Sequence, residues 1–378
     1  MTITFFINYL NHHQLPIADE MYKLLGNNFH FVATFVRDKS ELKGGIDYSD
    51  RPYCLLPAER SNDLRLAHEL NLKSDVCVFG AGNLQWEKER AQNCPNKLSF
   101  EISERWLKKG YINLLSPHLI KWWWIYQTTL RNKPFYKLCA SAYTAIDCFK
   151  LLTFKNRCYK WGYFTAVPHL GEKDRNSKMS SGMVSLMWCA RFINWKHPEI
   201  PIKLAKILKD EGYKFVINMY GDGPKRKEMQ QLVDFLGVKD VVFLKGNRSN
   251  MEILQAMRQS DLFLFTSNKE EGWGVVVNEA MSCQCCVVGS REAGAVPYLI
   301  EDGYNGYTYE CLNLASLHKK VKYLLDNPNE RLRFAQNAYQ DMVGIWNPVT
   351  AARNLLQLID DLISCRETSI TNGPCSKA

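Results

Sequence analysis

The sequence predicts an α/β fold of two doubly wound domains in series. Three observations carry that expectation. The chain has 378 residues, which at about 150 residues per domain makes two large ones. Short apolar runs alternate with helical patterns through both halves. A polar stretch, 171–182, interrupts that alternation once. Hydrophobic residues at 46% and charged residues at 23% are ordinary for a packed globular protein and exclude disorder, collagen-like repeats and coiled coil. Apolar stretches fall short of the ~18 residues that span a bilayer, and Met1 to Tyr9 lack the basic leader and long apolar run of a signal peptide. A cytoplasmic protein is expected.

The elements follow in order. Ile3 to Ile7 is an apolar run, Asn8 to Gln14 is polar and Ala18 to Leu25 has helical spacing, which reads as strand, loop, helix. His30 to Phe35, Val76 to Phe79, Lys97 to Ile102, Tyr136 to Ala140 and Cys158 to Phe164 continue as strands separated by helices or loops. Beyond the break the pattern is cleaner, with strands at Val184 to Ala190, Lys214 to Tyr220, Val241 to Leu244, Leu262 to Phe265 and Cys285 to Ser290. Helices lie between them at Ile200 to Lys209, Lys225 to Leu236, Met251 to Ser260 and Gly274 to Ser282. After Tyr309 the chain turns helical, broken at Asn327 and Pro328, and Trp346, Asn347 and Pro348 open a last helix through Ile363. The expected organisation is a first domain over 1–170, a linker over 171–182, a second domain over 183–345, a helix over 346–363 and a flexible tail over 364–378.

The 13 cysteines sit mostly in apolar surroundings and read as reduced, buried thiols. Cys283, Cys285 and Cys286 contain a C-x-x-C spacing but lack a second ligand pair at zinc distance, so metal is not expected.

The formal net charge of +9 is concentrated in residues 101–164, where 11 Lys or Arg face 3 acids. The same stretch carries Trp106, Trp122, Trp123, Trp124, Tyr126, Phe135, Tyr136, Tyr159, Trp161 and Tyr163. Basic and aromatic groups together suit the headgroup layer of an anionic membrane; equally, several of the aromatics are core and the lysines solvate a face. Nucleic-acid binding gives a similar composition, but no nucleic-acid partner is expected here.

Candidate chemistry gathers in the second half. Arg191 ends a strand and Lys196 follows five residues later, before His197 and Pro198 start a helix. Two converging cations suit a diphosphate, Arg as a fork and Lys as a point charge, although strand-end cations are common. Gly221, Asp222, Gly223 and Pro224 form a tight turn with Pro at the start of a helix. It is not the dinucleotide fingerprint, because Arg226 stands where the third glycine belongs. The sharper signal is Glu271, Gly272, Trp273, Gly274, Val275 and then Glu279, eight residues after Glu271. Glycines let backbone N–H groups approach a phosphate at the helix they open, and the two carboxylates accept from sugar hydroxyls on either side.

In this set and order the residues resemble the retaining glycosyltransferases of family 4, whose GT-B fold is two Rossmann-like domains facing a central cleft. The E-x7-E element looks like Glu271 to Glu279, the strand-end cations like Arg191 and Lys196, and the G-x-G-P turn like Gly221 to Pro224. The resemblance implies that Glu271 meets the transferred sugar, that Glu279 holds the nucleotide ribose and that Arg191 and Lys196 neutralise the leaving diphosphate. It implies a UDP- or GDP-sugar donor as substrate, with neither cofactor nor metal, and a last helix that crosses back to brace the first domain. The first loop, Asn8 to Gln14, lacks the family's usual glycine pair and looks more like bacterial surface-polysaccharide transferases. Those act on glycan or lipid-linked saccharide acceptors, which places His12, His13, Glu104 and Arg105 on the acceptor side. The location implied is cytoplasmic or peripheral on the inner face of the plasma membrane. A nucleotide-sugar epimerase and a non-catalytic sugar-nucleotide-binding protein are the alternative readings.

Overall fold

A computed structural model describes residues 1–36, 50–168 and 182–378. Most of the expected linker, 171–181, lies outside the described residues. The chain divides into two compact units, Met1–Ala166 with Ile345–Ala378, and Val167–Gly344.

The first unit holds a seven-stranded sheet in the order β3-β2-β1-β4-β5-β6-β7. Its strands are β1 (Ile3–Ile7), β2 (Phe29–Ala33), β3 (Cys54–Leu55), β4 (Val76–Gly80), β5 (Ser99–Ser103), β6 (Phe135–Cys139) and β7 (Cys158–Lys160). The pairings are parallel. Strands covered on both faces read as continuous apolar runs, and Ile3–Ile7 and Val76–Gly80 are buried throughout. The crossovers carry α1 (Leu15–Leu25), α2 (Ser61–Lys73), α3 (Leu84–Asn93), α4 (Pro117–Ile125) and α5 (Thr144–Lys150). β3 is two residues long, too short for periodicity to reveal.

The second unit holds a six-stranded sheet in the order β10-β9-β8-β11-β12-β13, made of β8 (Val184–Cys189), β9 (Phe215–Tyr220), β10 (Val242–Gly246), β11 (Leu262–Phe265), β12 (Cys286–Ser290) and β13 (Gly306–Tyr309). Its helices are α6 (Glu199–Asp210), α7 (Arg226–Phe235), α8 (Asn250–Gln259), α9 (Val276–Ser282), α10 (Val296–Leu299), α11 (Leu314–Asp326) and α12 (Pro328–Gly344). All pairings are again parallel, so every carboxyl end meets one edge. Order reverses between β8 and β11, where open α/β sheets bind ligands.

The last helix, α13 (Pro348–Ile363), belongs to the first unit and packs on α1. Asn347 caps it by accepting from the Thr350 N–H at 2.8 Å, and Pro348 occupies the first turn, where its missing N–H costs nothing. Ala351, Ala352, Leu355, Leu358 and Ile359 form its buried stripe.

One expectation needs correction, and one left open is decided. The terminal segment 364–378 is not a flexible tail. Lys160 N–H donates to Ser376 O at 2.8 Å and Cys375 N–H to Lys160 O at 2.7 Å, so this segment pairs antiparallel along the edge strand β7. Cys375 is buried there. An unpaired edge is a liability, and the composition of the segment gave no hint that it covers one. The stretch 101–164 also divides rather than forming a single basic aromatic face. Trp122, Phe135, Tyr159 and Trp161 are core, and Lys137 is wholly buried against Glu101, with Nζ to Oε1 at 2.7 Å. Against the burial that would lower it, the Glu101 carboxylate holds the Lys137 ammonium above its ordinary pKa. The Trp106 ring lies 4.1 Å from that ammonium.

Candidate functional site

In the second unit the expected residues stand at the carboxyl ends of β8, β9 and β11. The Gly221–Pro224 turn presses against the loop after β8. Phe192 N–H donates to Asp222 O at 2.9 Å and Lys225 N–H to Phe192 O at 3.0 Å. Gly221 has φ +119°, and a Cβ there would stand 2.0 Å from Ala190 O. At Gly223 it would stand 2.7 Å from Phe192 O. Both glycines are therefore required by backbone contact with the loop that carries Arg191. Their geometry gives them a supporting position beneath that loop.

Arg191 is exposed, with its guanidinium 5.7 Å from the Trp195 ring centroid. Lys196 ends the short 3-10 turn Asn194–Lys196 and is ion-paired with Glu271. Two polar relays fix the backbones behind that pair. Trp188 Nε1 donates to Thr266 Oγ1 at 2.8 Å, and Thr266 Oγ1 donates to Lys196 O at 2.6 Å, tying the β8 loop to the end of β11. Asn268 N–H donates to Trp195 O at 2.9 Å, while the Asn268 carbonyl accepts from the Glu271 N–H at 3.0 Å. One asparagine thus positions both loops. The sequence displayed Thr266 and Asn268 directly after an apolar strand, but their role depends on a crossing between loops 70 residues apart, which no local pattern records.

The bend Gly272–Val275 leads into α9. Gly274 has φ +103°, and a Cβ there would meet the Phe265 ring at 2.4 Å, so only glycine fits. Trp273 holds this bend from the inside. Its indole is buried and donates to Asn278 Oδ1 at 2.8 Å, which makes it an anchor for the bend. Glu279 lies in the first turn of α9, nearly buried, and accepts from Asn250 Nδ2 at 3.1 Å. Burial pushes its carboxyl up to about 7, while the Asn250 hydrogen bond opposes the rise. Asn250, at the start of α8, was not expected in the site. It follows Ser249, whose hydroxyl forms a reciprocal cap with Glu252.

In the first unit a cavity of about 620 Å³ opens at the carboxyl ends of β1, β4 and β5. His13, Glu104 and Arg105 line it together, whereas His12 is exposed with its ring 3.6 Å from that of His13. Burial, and then the neighbouring His12, lower the His13 pKa to about 3, so its imidazole is neutral at physiological pH. Asn11 Oδ1 accepts from the His13 and Gln14 N–H groups at 2.9 and 3.0 Å, building with a side chain the turn into α1 that glycines would otherwise supply. Glu104 accepts from Lys108 Nζ at 2.6 Å and from the Tyr163 hydroxyl at 3.1 Å. Arg105 is held by Asp147 and by the Tyr143 ring. Glu101, absent from the sequence reading because it sits within a strand, also lines the cavity, and its Oε2 is buried without a hydrogen-bond partner among the described residues. His13 Nδ1 is in the same state.

Among the described residues no group of three or more His, Cys, Asp or Glu side chains is placed to hold a metal ion. Among them, too, no helix is long and apolar enough to cross a membrane.

Two parallel sheets, each with its carboxyl ends along one edge, define a doubly wound α/β protein of two units, and a whole-chain structural comparison specifies the fold. The structure of Anabaena Alr3699/HepE in complex with UDP-glucose matches with a TM-score of 0.69 at 15% identity, over 96% of this chain and 100% of that one. The fold is GT-B. Residues 173–341 match the family model of the glycosyl transferases group 1. N-acetyl-alpha-D-glucosaminyl L-malate synthase of Bacillus anthracis is 39% identical over 138 residues, 36% of this chain and 35% of that protein. A Campylobacter jejuni alpha-1,4-N-acetyl-D-galactosaminyltransferase, whose name gives a diphospho-undecaprenol-linked saccharide as its acceptor, is 30% identical over 158 residues, 41% of this chain and 42% of that protein. The matched segments thus span well under half of these curated relatives.

Proposed function

We propose that the protein is a retaining glycosyltransferase that moves a sugar from a nucleoside diphosphate sugar to an acceptor hydroxyl. The observation that carries this is the Lys196–Glu271 ion pair, fixed by Thr266 and Asn268 at the strand-order reversal of a group 1 glycosyl transferase unit. An ammonium and a carboxylate held together there offer one group to a departing phosphate and the other to a sugar hydroxyl. Lys196 and Arg191 take the charge that develops on the diphosphate, assisted by backbone N–H groups of the Gly272–Val275 bend. Glu271 accepts from the transferred sugar, and Glu279 accepts from the ribose diol. The bond from C1 to the phosphate oxygen breaks as the acceptor oxygen bonds to C1 on the same face, and the acceptor proton passes to the leaving phosphate. No step is assigned to a metal.

The Alr3699/HepE complex favours UDP over GDP as the nucleotide. The first-unit cavity is the proposed acceptor site. Its buried Glu101 Oε2 and His13 Nδ1, without partners among the described residues, are hydrogen-bonding positions that saccharide hydroxyls satisfy. The Campylobacter relative supports a lipid-linked saccharide as acceptor, and the proposed context is surface-polysaccharide or lipopolysaccharide assembly on the inner face of a bacterial plasma membrane.

Product analysis tests the proposal. Purified protein given a UDP-sugar and a polyprenyl-diphosphate saccharide should release UDP and form a product with the donor's anomeric configuration. Arg191→Ala and Lys196→Ala should each lower kcat by about 10²-fold or more, as loss of one preorganised anion contact does elsewhere. A free isomerised sugar nucleotide made without acceptor would instead identify an epimerase. Unchanged kinetics in both variants would remove the site assignment.

A further inference from the structure

We propose that the face built by residues 110–125 and 146–155 docks on an anionic lipid bilayer. Three pieces of chain make it: the 3-10 turn Gly110–Leu115, α4, and the end of α5 with the loop that follows. They are contiguous. Trp123 Nε1 donates to Leu151 O at 2.9 Å, Gln127 Nε2 donates to Leu152 O at 3.2 Å, and Lys150 Nζ lies 5.7 Å over the Tyr111 ring. On α4 the core contact is Trp122, and at 100° per residue Ile120 and Trp124 fall on the opposite side. A helix at a protein surface ordinarily turns polar residues outward; this one turns out isoleucine and tryptophan.

The exposure is large and shared by all three pieces. Ile112, Leu115, Trp124, Phe149 and Leu152 each expose between 64% and 79% of their surface. Leu152 stands at φ +54°, a left-handed conformation that a leucine adopts at a cost, and it still points an apolar side chain at solvent. Scattered exposed apolar residues need no explanation, but a contiguous set does.

Charge selects the occupant. Between Arg105 and Lys160 the sequence holds a single acid, Asp147, and its carboxylate is buried, accepting from the Trp106 and Leu107 N–H groups. The exposed ions flanking the apolar ridge are therefore cations, among them Lys109, Lys121, Arg131, Lys150 and Lys155. A second copy of the same face would bring like charges together. A bilayer with anionic headgroups takes the apolar ridge into its boundary layer, seats tryptophan at headgroup level and attracts every flanking cation. The same turn and helix contribute Asn113, Ser116, His118 and Leu119 to the cavity wall, so docking here would bring the proposed acceptor cavity to the membrane surface. That consequence rests on the proposed function; the docking itself does not.

Co-sedimentation with vesicles tests it. The wild-type protein should pellet with vesicles of phosphatidylglycerol and phosphatidylcholine, bind phosphatidylcholine alone at least about ten-fold more weakly, and be released by high salt. The triple variant Ile112→Glu/Leu115→Glu/Trp124→Glu should lose vesicle binding about ten-fold or more while keeping its melting temperature and its UDP binding. A second variant, Lys109→Glu/Lys121→Glu/Lys150→Glu, alters only solvent-facing charges and should lose the preference for anionic vesicles. Vesicle binding unchanged in both variants, or absent in the wild type, would overturn the proposal. A dimer in solution that the triple variant abolishes would overturn it in favour of a second copy. UDP binding is read separately, so none of these results bears on sugar transfer.

Discussion

Glu279 is the residue at which environment most alters chemistry. Its carboxyl, ordinarily near 4.5, rises to about 7 in the fold because it is buried, with the Asn250 hydrogen bond opposing the rise. For a carboxyl whose folded pKa is raised, the folded state binds more protons between those two values, so the contribution to stability is full below about 4.5 and is lost as pH rises through about 7. That rise corresponds to about 3 kcal/mol. Glu279→Gln should flatten the stability profile across pH 4.5–8 and exceed the wild type by about that amount at pH 8, as read by urea denaturation. A profile parallel to the wild type would show that the carboxyl titrates normally. Ribose hydroxyls donating to the ionised form would pull the proton off, so UDP affinity should strengthen as pH rises through about 7. The spacing of Glu271 and Glu279 was legible in the sequence, whereas this titration was not, since it follows from how deeply α9 sinks beside α8.

At the scale of elements, long periodic segments were readable and short or mixed ones were not. β1, β11 and α13 have the boundaries the apolar patterns implied at Ile3 to Ile7, Leu262 to Phe265 and Pro348 to Ile363. Two-residue β3 and glycine-led β13 escaped, because neither presents enough apolar residues to stand out. Lys137 shows a different limit: a lysine inside a strand gives no local sign that it completes a buried ion pair with Glu101. The end of the chain reads as polar and loose, but the stripe of α13 and the pairing of residues 375–378 with β7 bind it into the first unit. Leu355, fully buried at the centre of that stripe, should cost about 2–5 kcal/mol when replaced by alanine. The expected result in chemical denaturation is a lower midpoint with the slope retained. A loss under about 1 kcal/mol would mean that α13 contributes little to the first unit.

For the whole molecule, the arrangement assigns separate duties to separate parts of the chain. A parallel sheet in the second unit carries the cations and carboxylates proposed to hold the donor, a polar cavity in the first carries the groups proposed for the acceptor, and an outward apolar ridge with flanking cations borders that cavity. Composition alone made the basic excess of residues 101–164 visible; separating its buried ion pair from its exposed ridge required coordinates. The central claim is that Lys196, Glu271 and Glu279 form one binding site for a nucleoside diphosphate sugar. Calorimetric titration of UDP and UDP-sugars into the wild type, Lys196→Ala and Glu279→Ala tests it most directly. The wild type should bind saturably and one-to-one, and each variant about ten-fold or more weakly, as loss of a charge-assisted contact implies. Equal affinity in all three proteins would contradict it.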